Sequence, residues 1–122
     1  MIVGRDVLGS AALKREEVEA EAWGGTVLVR ELTGEEVADA RAIATKAVNV
    51  KTQDVTDNSA LTDFQCVLVA KGWIGEDGRR ILADGEAGLL RKEPNSIIQK
   101  MAERISILSG LTEEAVGTAK KN

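Results

Sequence analysis

Two runs that tend to alternate in polarity, Glu16-Glu17-Val18-Glu19-Ala20-Glu21-Ala22-Trp23 and Thr26-Val27-Leu28-Val29-Arg30-Glu31-Leu32, flank a diglycine, Gly24-Gly25. A two-residue hairpin loop needs positive φ at both central positions, and glycine adopts it at little cost, so the segment predicts a β-hairpin. That loop pairs Trp23 with Thr26, Ala22 with Val27, Glu21 with Leu28, Ala20 with Val29 and Glu19 with Arg30. Successive pairs point to opposite faces. Ala20, Ala22, Val27 and Val29 therefore belong to a core side, and Trp23, Leu28 and the Glu19–Arg30 pair to a mixed one. Glutamates at 17, 19 and 21 discourage pairing of the first strand with foreign edges.

At Thr33 the hydrophobic period changes from two to between three and four. Thr33 and Glu36 have the spacing at which each side chain caps the other's backbone amide, so a helix starts there. Val37, Ala40, Ala44, Ala47 and Val48, helped by Ile43, form its apolar stripe. Residues 49–59 are polar and turn-prone and read as a loop. Residues 60–74 fit a helix through Phe64, Val67, Leu68 and Lys71 that leads into a short extended piece, although Cys66-Val67-Leu68-Val69 also suits a buried strand. Gly75-Glu76-Asp77-Gly78 is a turn, Arg79-Arg80-Ile81-Leu82 returns extended, and Asp84 caps a short helix through Leu89, Leu90 and Arg91. Pro94 suits the first position of a helix with apolar residues Ile97, Ile98, Met101, Ile105 and Leu108, which Gly110 ends in a left-handed cap. Thr112, Glu113 and Glu114 open a last helix that closes with Lys120 and Lys121. The expected fold is α+β, mainly α-helical, with an N-terminal β-hairpin and several short amphipathic helices. Residues 1–13, with no stable period, read as a flexible arm on a single domain of residues 14–122.

Composition narrows the chemistry. The 122 residues include no histidine and no tyrosine, one cysteine, and three aromatics, Trp23, Phe64 and Trp73. The commonest general base and zinc ligand are absent, and Cys66 alone allows neither an internal disulfide nor a cysteine-rich metal site. Sixteen Lys plus Arg against twenty Asp plus Glu, net −4, is the wrong sign for a surface that tracks phosphates. No stretch is long and apolar enough to span a membrane, and residues 1–10 lack the pattern of a signal peptide, so the expected location is cytoplasmic.

The remaining features carry little chemistry. Glu16 with Glu17, Glu35 with Glu36 and Glu113 with Glu114 are adjacent in sequence and so diverge on helix or strand, which suits solvated or capping roles. Asp77-Gly78 lacks the other acidic positions of a calcium loop. Gly24-Gly25 lacks the Gly-Lys-Ser/Thr of a phosphate loop. Cys66 sits in an apolar run with nothing to activate it. Arg79-Arg80 and Arg91-Lys92 have no interleaved aromatics and have acidic neighbours. No catalytic, cofactor-binding or metal-binding residue is expected. The two tryptophans are harder to dismiss. Trp73 with Ile74 reads first as core. Trp23, on the mixed face beside Leu28, is open between intramolecular packing and contact with a partner. Trp23, Leu28, Trp73 and Ile74 are the candidate partner-binding residues.

The order of motifs in residues 17–36, followed by Glu76-Asp77-Gly78-Arg79-Arg80-Ile81-Leu82, Ala83-Asp84-Gly85-Glu86, Leu108-Ser109-Gly110-Leu111-Thr112-Glu113-Glu114-Ala115 and the terminal Lys121-Asn122, resembles the tail assembly chaperones of long-tailed, siphovirus-like bacteriophages and prophages. The resemblance covers roughly residues 14–122. The chain departs from it at Leu82, where the family often has an aromatic, and around Gly75, where it has an apolar or acidic residue. The resemblance implies a non-catalytic protein that binds the tape-measure protein, keeps it soluble and helps recruit tail tube subunits, in the host cytoplasm and absent from the mature virion. It further implies a short form whose longer, frameshifted version contacts the major tail tube protein, and Ala119-Lys120-Lys121 is where an A-rich slippery stretch would be encoded. A chaperone for a long amphipathic helical client needs charge-shielded apolar stripes and short helices able to re-pack, which this chain has. Its arm and hairpin further suggest a homo-oligomer. A small structural subunit of a phage tail or neck is the alternative.

Overall fold

A computed structural model of the chain describes residues 2, 4–9, 11–46 and 58–111. The hairpin is present, as strands β1 (Arg15–Ala20) and β2 (Gly25–Arg30), and a two-residue strand β3 (Trp73–Ile74) extends it into an antiparallel sheet of order β1-β2-β3. Helix α1 spans Gly34–Lys46, α2 spans Asn58–Gly72 and α3 spans Asn95–Leu108, with a 3-10 segment at Asp84–Lys92. The expected α+β, mainly helical class holds. Helix α3 lies against β1 and β2, and α2 packs against α1, α3 and the 3-10 segment.

The hairpin register differs from the expected one. Val18 stands opposite Val27, Glu17 opposite Leu28, Glu16 opposite Val29 and Arg15 opposite Arg30. Instead of a diglycine loop, Glu21–Trp23 form a 3-10 turn closed by a hydrogen bond from Gly24 N to Glu21 O (2.9 Å). Only Gly24, at φ +76°, needs the left-handed region, and Gly25 is the first residue of β2. Each β2 residue thus meets a β1 residue four places earlier than expected. Four is even, so inward and outward faces are preserved. Val18, Ala20 and Val29 are buried and Val27 packs on the core, but Ala22 leaves the sheet and is exposed. Arg30, expected opposite Glu19, instead binds Glu36 through Nη1 and Nη2 (2.9 and 2.8 Å).

Helix α1 begins at the predicted capping box: Thr33 N donates to Glu36 Oε1 (2.9 Å) and Glu36 N to Thr33 Oγ1 (3.3 Å). Ala40 of its stripe is fully buried, and Val37 packs on the core from the side. Ala47 and Val48, most of the 49–59 loop and the helix expected after Thr112 lie outside the described residues. Asn58 and Ser59, placed in that loop by sequence, already belong to α2. The helix reading of 60–74 with its short extended end is what forms, and the strand alternative at 66–69 is not.

The 84–92 segment departs from the reading in type and cap. Its N-cap is Ala83, whose amide donates to the Glu86 carboxylate (2.9 Å), while Asp84 binds Arg80 (2.6 Å) and Lys71 (3.3 Å). A 3-10 helix stacks residues three apart. This puts Ala87 and Leu90 on one buried face and Gly85, Gly88 and Arg91 on another, where Arg91 pairs with Asp63 of α2. Leu89 falls on the third face with Glu86 and Lys92, and is 62% exposed.

Helix α3 buries Ile97, Ile98, Met101, Ala102 and Ile105. Its end is a Schellman motif: Gly110, at φ +77°, donates to Ile107 O (3.2 Å), and Leu111 to Ser106 O (2.8 Å). Ser109 ties this end to the sheet, since its Oγ accepts from Leu32 N (2.8 Å) and donates to Ile105 O (2.7 Å). Glu16 of β1 binds Arg104 of α3, with Nη2 to Oε1 at 2.7 Å.

Three carboxylates are held below their usual pKa. Hydrogen bonds from Arg104 lower Glu16, and those from Arg80 and Lys71 lower Asp84. Burial pushes Glu36 up, but hydrogen bonds from Arg30 and Thr33 outweigh it. A depressed folded-state value means a stabilising contribution that is complete above the unfolded value and disappears as pH falls through the folded one. Thermal unfolding followed by circular dichroism should therefore show a Tm that holds through neutral pH and declines once pH drops below the usual glutamate value of 4.5. A Tm rising on acidification would contradict these pairings.

Candidate partner-binding site

The structure divides the four candidate residues into two pairs on opposite faces of the sheet. Leu28 stands opposite Ile74, and Val29 opposite Trp73. Neighbours along a strand point to opposite sides, so Trp73 shares the core side with Val29 while Leu28 and Ile74 share the other. Ile74 is only 2% exposed and Leu28 is half-buried. The expected Trp23–Leu28 patch does not form. Trp23 instead lies in the 3-10 turn and stacks on Trp73, with ring centroids 5.2 Å apart and planes 19° from parallel. Such stacked pairs add about 0.5–1.5 kcal/mol beyond the area they bury. The indole Nε1 of Trp23 donates to Glu93 Oε1 at 2.9 Å.

Both rings are half-buried and pack on the core from its edge. Their remaining surface, with Leu82, Leu89, Leu90 and Glu93, lines an open cleft of about 260 Å³. Three elements build it: the hairpin turn supplies Trp23, β3 supplies Trp73, and the 3-10 segment with its flanks supplies the rest. In the sequence, Leu89 and Leu90 read alike as residues of one short helix, and Glu93 only as an acidic neighbour of Arg91-Lys92. The three-residue spacing of Ala87 and Leu90, with glycines at 85 and 88, was the signal that Leu89 points elsewhere. Nothing local marked Glu93, because its partner is seventy residues away.

Several of the groups that resembled chemistry in the sequence have structural partners. Glu16 pairs with Arg104 while Glu17 is exposed, and Glu36 caps α1 while Glu35 is exposed. Glu113 and Glu114 lie outside the described residues. Cys66 is buried, and burial, followed by nearby Asp63, raises its thiol pKa against a smaller opposing effect of Arg91. Arg80 is occupied by Ala70 O (3.0 Å) and Asp84. Among the described residues no group of three or more His, Cys, Asp or Glu could hold a metal ion, and no helix is long and apolar enough to cross a membrane. The cleft can offer apolar contact and one carboxylate, which suits it to a protein surface.

No protein-family model and no curated protein matches the chain. In fold, however, it is similar to the tail assembly chaperone of bacteriophage HK97, with a TM-score of 0.61 at 15% sequence identity over 80% of this chain and 83% of that one.

Proposed function

We propose that this chain is a non-catalytic phage tail assembly chaperone. It binds the tape-measure protein, keeps it soluble and promotes recruitment of tail tube subunits, acting in the host cytoplasm and leaving before the virion is complete. The observation that carries this reading is the fold shared with the HK97 chaperone over four-fifths of the chain. The motif order resembling the same family supports it. So does an exposed aromatic cleft on a net-acidic domain, a surface suited to a protein client. The reading includes self-association and a longer frameshifted form that contacts the major tail tube protein.

Co-expression tests it directly. The tape-measure protein from the same genome should accumulate in the soluble fraction with this chain and in the pellet without it. Equal solubility in both cases would sink the proposal, and stoichiometric recovery of the chain from purified virions would favour a structural subunit of tail or neck.

A further inference from the structure

We propose that the cleft between the Trp23–Trp73 stack and Leu89 is the client site, and that it docks an amphipathic helix whose apolar stripe is bordered by Lys or Arg. The proposal rests on the chaperone reading and adds a location and a chemistry to it.

Three observations carry it. The first is the apolar lining. Trp23 and Trp73 are the chain's two tryptophans, yet both are left half-buried at one place, beside a leucine that is 62% exposed. Large aromatics in a partly desolvated hollow are the usual anchors of a protein interface.

The second observation selects a helix over an extended strand. The lining comes from side chains of three separate elements rather than from the edge of one strand. An extended client would find no row of backbone amides and carbonyls there, whereas a helix satisfies its own backbone and need only present side chains.

The third is charge. Among the described residues Glu93 is the one charged residue lining the cleft. Its Oε1 is fixed by the Trp23 indole, and among the described residues its Oε2 has no partner. Glu21 belongs to the same hairpin turn as Trp23, and Glu86 and Lys92 share the three-residue row of Leu89 on the 3-10 segment. Arg91 is already paired with Asp63. An oriented carboxylate beside an apolar hollow favours a cationic group on the incoming surface, and like charge there is penalised.

Because the chain has two tryptophans and no tyrosine, its fluorescence reports on this cleft alone. The probes are two synthetic helical peptides with the same leucine stripe, one bordered by lysines and the other by glutamates. The lysine peptide should shift the emission saturably and bind at least about tenfold more tightly than the glutamate peptide. Leu89→Glu should abolish the shift. Glu93→Gln, which keeps an acceptor for Trp23, should remove most of the preference, and Glu93→Lys should reverse it. Both positions are exposed, and unchanged far-UV circular dichroism and Tm would verify that the variants fold.

Failure of the lysine peptide to bind, wild-type binding by Leu89→Glu, or an unchanged preference in Glu93→Lys would each overturn the proposal. Co-expression separates this from the broader reading. A tape-measure protein kept soluble by Leu89→Glu as well as by the wild type removes the cleft but leaves the chaperone. One left insoluble even by the wild type removes the chaperone itself.

Discussion

Gly72→Val should cost about 3 kcal/mol of folding stability in urea titrations, and Gly72→Ala about 1–2 kcal/mol. Gly72 is the last residue of α2 and lies against Ile105 of α3. A Cβ there would lie 2.5 Å from Cδ1, 2.7 Å from Cγ1 and 3.1 Å from Cγ2 of Ile105, a fully buried side chain with little freedom to move aside. Alanine is favoured over glycine within a helix by up to about 1 kcal/mol, so a net loss would mean that overpacking wins. The cause can be isolated in a double-mutant cycle. Ile105→Ala alone should cost about 2–5 kcal/mol, and in that background Gly72→Ala should become neutral or stabilising. An equal penalty in both backgrounds would mean that Ile105 is not what glycine avoids. Small domains are stable by only about 5–15 kcal/mol, so Gly72→Val removes a substantial part of the whole.

The second large effect concerns Lys71, which is 4% exposed despite its charge. Its ammonium lies 3.3 Å from Asp84 Oδ1 and 3.6 Å from Asp39 Oδ2, and those two side chains are 62% and 60% exposed. The aliphatic stem is therefore buried between α1, α2 and the 3-10 segment while the ammonium at its end is covered by two solvated carboxylates. Exposed partners make weak ion pairs, so the stem should matter more than the charge. Lys71→Ala, which empties the space of the stem, should cost about 2–3 kcal/mol. Lys71→Met, which refills it without the charge, should stay within about 1 kcal/mol of the wild type. Equal losses in the two variants would show instead that the ion pairs hold this corner together.

The behaviour of Lys71 was partly legible beforehand, because it falls on the helical stripe of Phe64, Val67 and Leu68. The same holds for most of the helical structure. The Thr33–Glu36 box and the Gly110 stop depend on residues within one turn of each other, and each forms as its spacing predicts, whereas Pro94, read as the first helical residue, is the N-cap that precedes Asn95. The 84–92 segment was misread because the usual assignment of Asp84 as a cap competes with two cations, Arg80 and Lys71, that only the fold brings to it.

The candidate site was less legible. Both tryptophans could be singled out, since large aromatics are scarce in this chain, but their relation to one another could not. The diglycine favoured a two-residue loop on local grounds. Across the chain, a longer turn lets Trp23 stack on Trp73 and bond Glu93, and lets Val18 be buried opposite Val27. That register carries Trp23 off the strand and away from Leu28, and its four-residue slip leaves the inward faces unchanged.

The sequence alone thus determined that there is a hairpin, which of its faces is apolar, and where α1 and α3 begin or end, because those outcomes rest on periodicity and on hydrogen bonds between near neighbours. Tertiary structure decided the register, the company of Trp23 and the existence of the cleft. Each of these compares a local turn preference with the larger free energy of burying side chains that lie far apart in the chain.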